Sequence, residues 1–171
     1  MQSNETGRAR KSGTLIGIGA GIAMLAMSSA AQAQDASPLL AMKGTWNGTG
    51  NITLSDGNKE RIRCRSNYNP DGAGASMQLS LTCASDSYKF ELASQVQYRN
   101  GQITGNWTET TRAQAGQLTG TASAGRVEVR AEGQTFAAFL NINTRGEQQS
   151  ISIRSPGSAM QEVAISLNRQ K

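Results

Sequence analysis

The side chain in this sequence most suited to chemistry is Glu109, which falls on the apolar side of a predicted β-strand. Hydrophobicity alternates with a period of two through residues 101–111. The inward side of that segment carries Ile103, Gly105, Trp107 and Glu109. A carboxylate on that side is costly to bury unless it is paired or hydrogen-bonded. Arg169 is the one cation that the same alternation turns inward.

These residues leave two interpretations open. In the first, Glu109, Arg169 and the two tryptophans, Trp46 and Trp107, line a mouth that holds the polar end of a ligand. In the second, Glu109 lies past the rim in solvent or forms a structural ion pair with Arg169. The period-two alternation is compatible with both.

The residues that most often catalyse reactions are scarce in the chain. Histidine is absent, which removes the commonest general base and the commonest zinc ligand. Glycoside hydrolysis needs two facing carboxylates, and the other inward acids, Glu60 and Glu162, lie near turns. The sequence contains no nucleophile elbow, no phosphate-binding glycine loop and no metal-ligand cluster. We therefore expect no enzymatic activity, no cofactor and no metal.

The first 33 residues have the pattern of a signal peptide. Basic residues come first, an apolar run from Leu15 to Met27 follows, and Ala31 and Ala33 are the small residues that signal peptidase accepts. We predict cleavage between Ala33 and Gln34 and export to the periplasm or beyond. An uncleaved membrane anchor is the alternative.

The charge of the remaining chain is mild. Without residues 1–33, which hold three basic residues and one acid, the chain has 14 basic and 11 acidic residues. This balance is too even to predict nucleic-acid binding. Lys59, Arg61, Arg63 and Arg65 nevertheless form a basic stripe on one strand. Such a stripe is typical of a solvated face, and it could also contact anionic lipid or polysaccharide.

The only two cysteines, Cys64 and Cys83, flank a strong turn signal at residues 69–74. A hairpin folded about residues 73 and 74 sets the two cysteines directly opposite each other, on the apolar side of their strands. In an exported chain this arrangement predicts a disulfide. Two buried free thiols are the alternative.

Period-two alternation from Gly44 onward, punctuated by turn signals, predicts eight to ten antiparallel strands in a single domain over residues 44–171. One face is apolar and the other polar, so the sheet must close into an up-and-down β-barrel or pair as a sandwich. The charged outer face excludes a barrel embedded in a membrane, so we expect no integral membrane protein. Residues 34–43 form an N-terminal arm or a short helical turn, with Ser37 as a candidate N-cap.

The Gly44-Thr45-Trp46 at the first strand resembles the calycin superfamily, which includes lipocalins, fatty-acid-binding proteins and avidins. The resemblance implies a barrel whose first tryptophan packs against an arginine from the barrel's end, here Arg169. The C-terminal helix of lipocalins and the several tryptophans of an avidin site have no counterpart in this chain.

The build is also similar to periplasmic inhibitors of bacterial metalloproteases, which are exported, disulfide-linked barrels. That resemblance implies that residues 34–43 enter a protease cleft. The sequence thus predicts an exported binding protein: a carrier of a small, partly apolar molecule, a protein-binding inhibitor, or a structural envelope protein.

Overall fold

Ten strands of alternating burial close into a single antiparallel β-barrel in the computed structural model, which describes residues 36–171. The predicted signal peptide lies outside these residues. A 3-10 helix, η1 (Leu40–Met42), precedes the barrel. The strands are β1 (Gly44–Leu54), β2 (Lys59–Pro70), β3 (Ser76–Ala84), β4 (Lys89–Arg99), β5 (Gln102–Glu109), β6 (Gln114–Ser123), β7 (Arg126–Gly133), β8 (Ala137–Arg145), β9 (Gln148–Arg154) and β10 (Met160–Arg169).

Each strand pairs with its neighbours in the chain, and β1 pairs with β10 to close the barrel. The closing ladder runs from Trp46 opposite Arg169 to Leu54 opposite Met160, with a register shift at Thr53. Closure leaves no strand edge exposed. The predicted all-β barrel is therefore confirmed at the upper end of its strand range, and the two-sheet sandwich does not form.

Side chains alternate between the interior and the solvent along every strand, as the period of two predicts. On β2, for example, Ile62 and Cys64 are buried while Arg61, Arg63 and Arg65 are exposed. The buried set forms one continuous apolar cluster inside the barrel.

Inward glycines allow neighbouring strands to approach closely. A Cβ at Gly48 would lie 1.9 Å from the Ser166 carbonyl oxygen on β10, and one at Gly105 would lie 2.2 Å from the Gln95 carbonyl oxygen on β4. A side chain at either position would push the two strands apart.

Cys64 and Cys83 form the predicted disulfide across β2 and β3. The two residues are paired in the sheet register, with a Cα–Cα distance of 4.1 Å, and both are buried. The bridge fixes the register of the β2–β3 hairpin, where a slip of one residue would turn every inward side chain outward.

Replacing both cysteines (C64A/C83A) should lower the free energy of unfolding by about 3 kcal/mol, because the bridge restricts the unfolded chain. The loop that it closes has a sequence separation of 19 residues. Urea unfolding followed by near-UV circular dichroism measures the change. Reduction of the unmodified protein is the control and should give a similar loss. If reduction leaves the unfolding curve unchanged, the bridge contributes nothing to stability.

Candidate functional site

One end of the barrel is sealed by the segment that precedes β1. Pro38 initiates the turn, and Leu39 and Met42 are buried against the interior cluster. Ser37 Oγ donates a hydrogen bond to the Gly74 carbonyl oxygen at 2.7 Å, which ties the turn to the β2–β3 hairpin. The described part of the predicted arm therefore lies packed on the barrel. We call this end the plug end.

Trp46 and Arg169 hold the plug end together. The Trp46 indole Nε1 donates to the Met42 carbonyl oxygen at 2.8 Å, and the Arg169 guanidinium lies 4.2 Å from the centre of the Trp46 ring. Arg169 also donates to the Lys43 carbonyl oxygen, donates to the Ala41 carbonyl oxygen at 2.8 Å, and pairs with Glu147 at 3.2 Å. The predicted contact of Arg169 with Trp46 is thus present.

A buried polar chain lies just inside the plug end. The Tyr68 hydroxyl donates to Gln149 Oε1 at 2.8 Å, and Gln149 Nε2 donates to Thr144 Oγ1 at 3.0 Å. All three residues are buried. Burial raises the pKa of the Tyr68 phenol, so this group is neutral throughout the physiological range.

A cavity of about 310 Å³ extends from the plug end to the opposite end of the barrel. At the plug end its wall includes Leu39 and Met42, which are buried, whereas exposed residues such as Arg112 and Thr135 line it at the opposite end. We call this second end the mouth. The wall between them is mainly apolar and includes Phe90, Val96, Ile103, Leu118, Val129 and Ile142.

Trp107 lies in the cavity wall near the mouth and is 4% exposed. Its ring packs 5.5 Å from the Phe136 ring, and it fits because Gly116 and Gly133 face it without side chains. The indole Nε1 has no hydrogen-bond acceptor among residues 36–171. A buried donor without a partner is costly, so this N–H lowers the stability of the fold.

Glu109 also lines the cavity, but its carboxylate is committed to the β5–β6 turn. Oε1 accepts from the backbone N–H of Glu91 and that of Thr111, both at 3.0 Å, and from the Thr111 hydroxyl. Oε2 accepts from the Arg112 N–H at 2.9 Å. Burial alone would raise the pKa of Glu109, but these hydrogen bonds together hold it below its usual value.

Arg112 and Tyr88 form the other polar part of the mouth. The Arg112 guanidinium lies 4.3 Å from the centre of the Tyr88 ring, and its Nη1 is 3.7 Å from Glu109 Oε2. Nη1 also donates to the Lys89 carbonyl oxygen at 3.3 Å. Burial raises the pKa of the Tyr88 phenol, while Arg112 acts in the opposite direction. The side-chain hydrogen bonds that Arg112 donates within residues 36–171 come from Nη1, which also donates to Thr111 Oγ1 at 3.1 Å.

The structure separates the four residues that the sequence placed at one mouth. Trp107 and Glu109 line the cavity at the mouth, whereas Trp46 and Arg169 lie at the plug end and are not part of its wall. The single-mouth hypothesis is wrong in this respect, because the end of β5 and the start of β1 are at opposite ends of the barrel. Glu109 also pairs with Arg112, not with Arg169.

Sequence reasoning missed Arg112 as a mouth residue. Alternation through Phe90 and Leu92 predicts that Tyr88 also faces inward. Arg112 lies in a turn, where alternation does not predict the direction of a side chain. In residues 36–171 no group of three or more His, Cys, Asp or Glu side chains is arranged to hold a metal ion. Over the same residues, no helix has the length and apolar character needed to cross a bilayer.

Two solved structures are similar to this chain in fold. The crystal structure of Rv2717c from M. tuberculosis superposes with a TM-score of 0.60 at 13% identity, covering 80% of this chain and all of the other. The S-type phycobiliprotein lyase CPES from Guillardia theta superposes with a TM-score of 0.51 at 10% identity, covering 78% of this chain and 90% of the lyase. No protein-family model and no curated protein sequence matches the chain.

Replacing Glu109 with glutamine should make the free energy of unfolding less dependent on pH in the acid range. Because the folded-state pKa is lowered, the carboxylate stabilises the fold above its unfolded pKa, and this stability is lost as pH falls through the folded pKa. We expect E109Q to be less stable than the parent at neutral pH and to lose less stability below about pH 4.5. Urea unfolding across a pH series measures both effects.

Glu128→Gln on the outer face of β7 is the matched control. It removes one carboxylate of the same type from a solvent-exposed position. If E109Q and E128Q have the same pH dependence, the turn hydrogen bonds of Glu109 do not stabilise the fold.

Replacing Arg169 with lysine should lower the free energy of unfolding by about 2 kcal/mol, because an ammonium cannot both lie across the indole and reach several acceptors. Arg145→Lys, an exposed position on β8, is the control and should have little effect. Thermal unfolding followed by tryptophan fluorescence measures the difference. Equal melting temperatures for R169K and R145K would show that the plug does not depend on the guanidinium.

Proposed function

We propose that the protein is an exported, non-catalytic carrier that holds a small amphipathic molecule inside its barrel. The observation that carries this proposal is the apolar cavity of about 310 Å³, closed at the plug end and lined by exposed residues at the mouth. Its volume is at the lower limit of typical ligand pockets, so the ligand is small.

The cavity's lining implies how the ligand is oriented. The apolar part of the molecule lies toward Leu39 and Met42, because the inner walls offer mainly hydrocarbon. Its polar part lies near the mouth, where Arg112 and Gln114 provide donors. An anionic or strongly accepting head group fits this donor-rich mouth best, since the oxygens of Glu109 already serve the turn.

The non-catalytic part of the proposal rests on this chain's own residues. One of the similar structures reported above is a phycobiliprotein lyase, so a fold of this kind is compatible with catalysis. In the present chain, however, the carboxylate that lines the cavity accepts three hydrogen bonds from its own turn and a fourth from the Glu91 N–H on β4. A group in that state is a poor proton acceptor at neutral pH.

The inhibitor alternative finds less support in the structure. A protease inhibitor that inserts residues 34–43 into a cleft would have to remove Leu39 and Met42 from the interior cluster. It would also lose the hydrogen bond from Trp46 to the Met42 carbonyl oxygen. These contacts favour a role as a structural plug for the described part of the segment.

Partial filling of the cavity tests the carrier proposal. Ala131→Leu places a larger side chain in the cavity wall on β7, and Ala115→Leu makes the same change on the outer face of β6. We expect the inner substitution to weaken binding of the anionic amphiphile 1-anilinonaphthalene-8-sulfonate about tenfold, because it removes space for the ligand. The outer substitution should leave the affinity unchanged. Fluorescence titration gives both dissociation constants, and thermal unfolding verifies that each variant is folded.

Native mass spectrometry of the protein purified from its own cells gives the complementary measurement. A bound mass that is released by denaturation, and reduced in Ala131→Leu, would support the carrier and define its ligand class. A ligand-free mass together with no binding of the amphiphile would overturn the proposal.

A further inference from the structure

The outer face of the barrel carries a second feature, which is independent of the cavity. Arg61, Arg63 and Arg65 project from β2 into solvent and form what we call the arginine row. Successive members are two residues apart, so the row places a guanidinium about every 6.6 Å and spans roughly 13 Å. None of the six ion pairs found in residues 36–171 involves these arginines.

The neighbours of the arginine row in the sheet are short and uncharged. On the β1 side the paired residues are Asn51, Thr49 and Asn47, and on the β3 side Arg63 and Arg65 face Ala84 and Thr82. No carboxylate in these positions neutralises the guanidinium groups. Other exposed arginines differ, since Arg126 and Arg130 on β7 pair with Glu128 and Glu132 at 3.5 and 2.7 Å.

A shallow depression of about 590 Å³ begins at Arg61 and crosses four strands, β1, β10, β9 and β8. The sheet register aligns its polar residues in rows perpendicular to the strands. Its polar lining includes Thr49, Asn51, Ser150, Ser152, Asn141 and Asn143. Hydroxyl and amide groups of this kind both donate and accept hydrogen bonds, so the depression matches a ligand rich in hydroxyl groups.

We propose that the arginine row and this depression together bind a chain of an acidic polysaccharide. The guanidinium groups pair with its carboxylates in the fork geometry that arginine favours. The Asn, Ser and Thr side chains of the depression hydrogen-bond to its sugar hydroxyls. Both kinds of contact are solvent-exposed, so binding is moderate in strength and sensitive to salt.

The composition of the surface favours a polysaccharide over two other anionic partners. Single-stranded nucleic acid is usually held by aromatic side chains that stack on its bases, and no aromatic side chain lines the depression. Peripheral membrane binding needs apolar groups that enter the bilayer. Among residues 36–171 the one exposed large apolar side chain, Phe139, lies outside the depression with the Arg130 guanidinium 5.2 Å from its ring centre.

The test compares two triple variants that lose the same charge. R61Q/R63Q/R65Q removes the arginine row, whereas R126Q/R130Q/R154Q removes three arginines that already pair with glutamates. The probe is fluorescein-labelled polygalacturonate, with neutral dextran as the control polymer, in a fluorescence polarisation titration across a salt series. We expect the first variant to bind polygalacturonate about tenfold more weakly than the parent, since it loses three exposed ion pairs. We expect the second variant to bind like the parent.

Several results would overturn the proposal. The first is that polygalacturonate does not bind at low salt, and the second is that dextran binds equally well. The third is that both triple variants lose the same affinity, which would show that only net charge matters. Stronger binding of phosphatidylglycerol vesicles or of an oligothymidylate would assign the row to a membrane or to nucleic acid. The salt dependence of the parent's binding keeps the test valid if the first variant fails to fold, because a salt-insensitive affinity contradicts an ionic contact.

Discussion

The contact between Trp46 and Arg169 is the constraint on which the rest of the barrel depends. It joins the first strand to the last, at the first pair of the closing ladder, and the same guanidinium binds the carbonyl oxygens of the turn that precedes β1. The turn is thereby held across the open end with Leu39 and Met42 buried. The same guanidinium therefore contributes both to the β1–β10 closure of the sheet and to the closure of one barrel end, and the cavity's mouth lies at the opposite end.

Strand number explains why this interior is not filled by its own side chains. A barrel of about eight strands is just wide enough for side chains to fill, and the diameter grows with each added strand. This chain forms ten strands, while several inward positions, such as Gly116 and Ala131, carry little or no side chain. Large residues compensate at the plug end, where Trp46 and Tyr68 are buried. Toward the mouth the space is left open, and its walls are mainly apolar.

Period-two alternation predicted the inward and outward faces. Together with the turn at residues 69–74 it predicted the disulfide, whereas the contact of Arg169 with Trp46 came from the resemblance to calycins. Alternation does not show where along the barrel axis a residue lies. For this reason Trp46 and Glu109 were predicted to lie at the same mouth. The strand order contains the missing information, because odd-numbered strands of an up-and-down barrel all run the same way. Trp46 is near the start of β1 and Glu109 ends β5, which sets them at opposite ends once the strands are counted. The turn hydrogen bonds of Glu109 depend on backbone geometry that residue types alone do not specify.

The alternation also makes the inner and outer surfaces chemically independent. Ile62 and Cys64 face the interior from the same strand that presents Arg61, Arg63 and Arg65 to solvent, so a change of one set leaves the other in place. The cavity is mainly apolar and has polar side chains at its mouth. The outer face instead presents guanidinium groups and short hydrogen-bonding side chains over several strands. Under the proposed function, this division leaves the mouth free for ligand exchange while the outer surface contacts a partner. The two surfaces can be tested separately for the same reason.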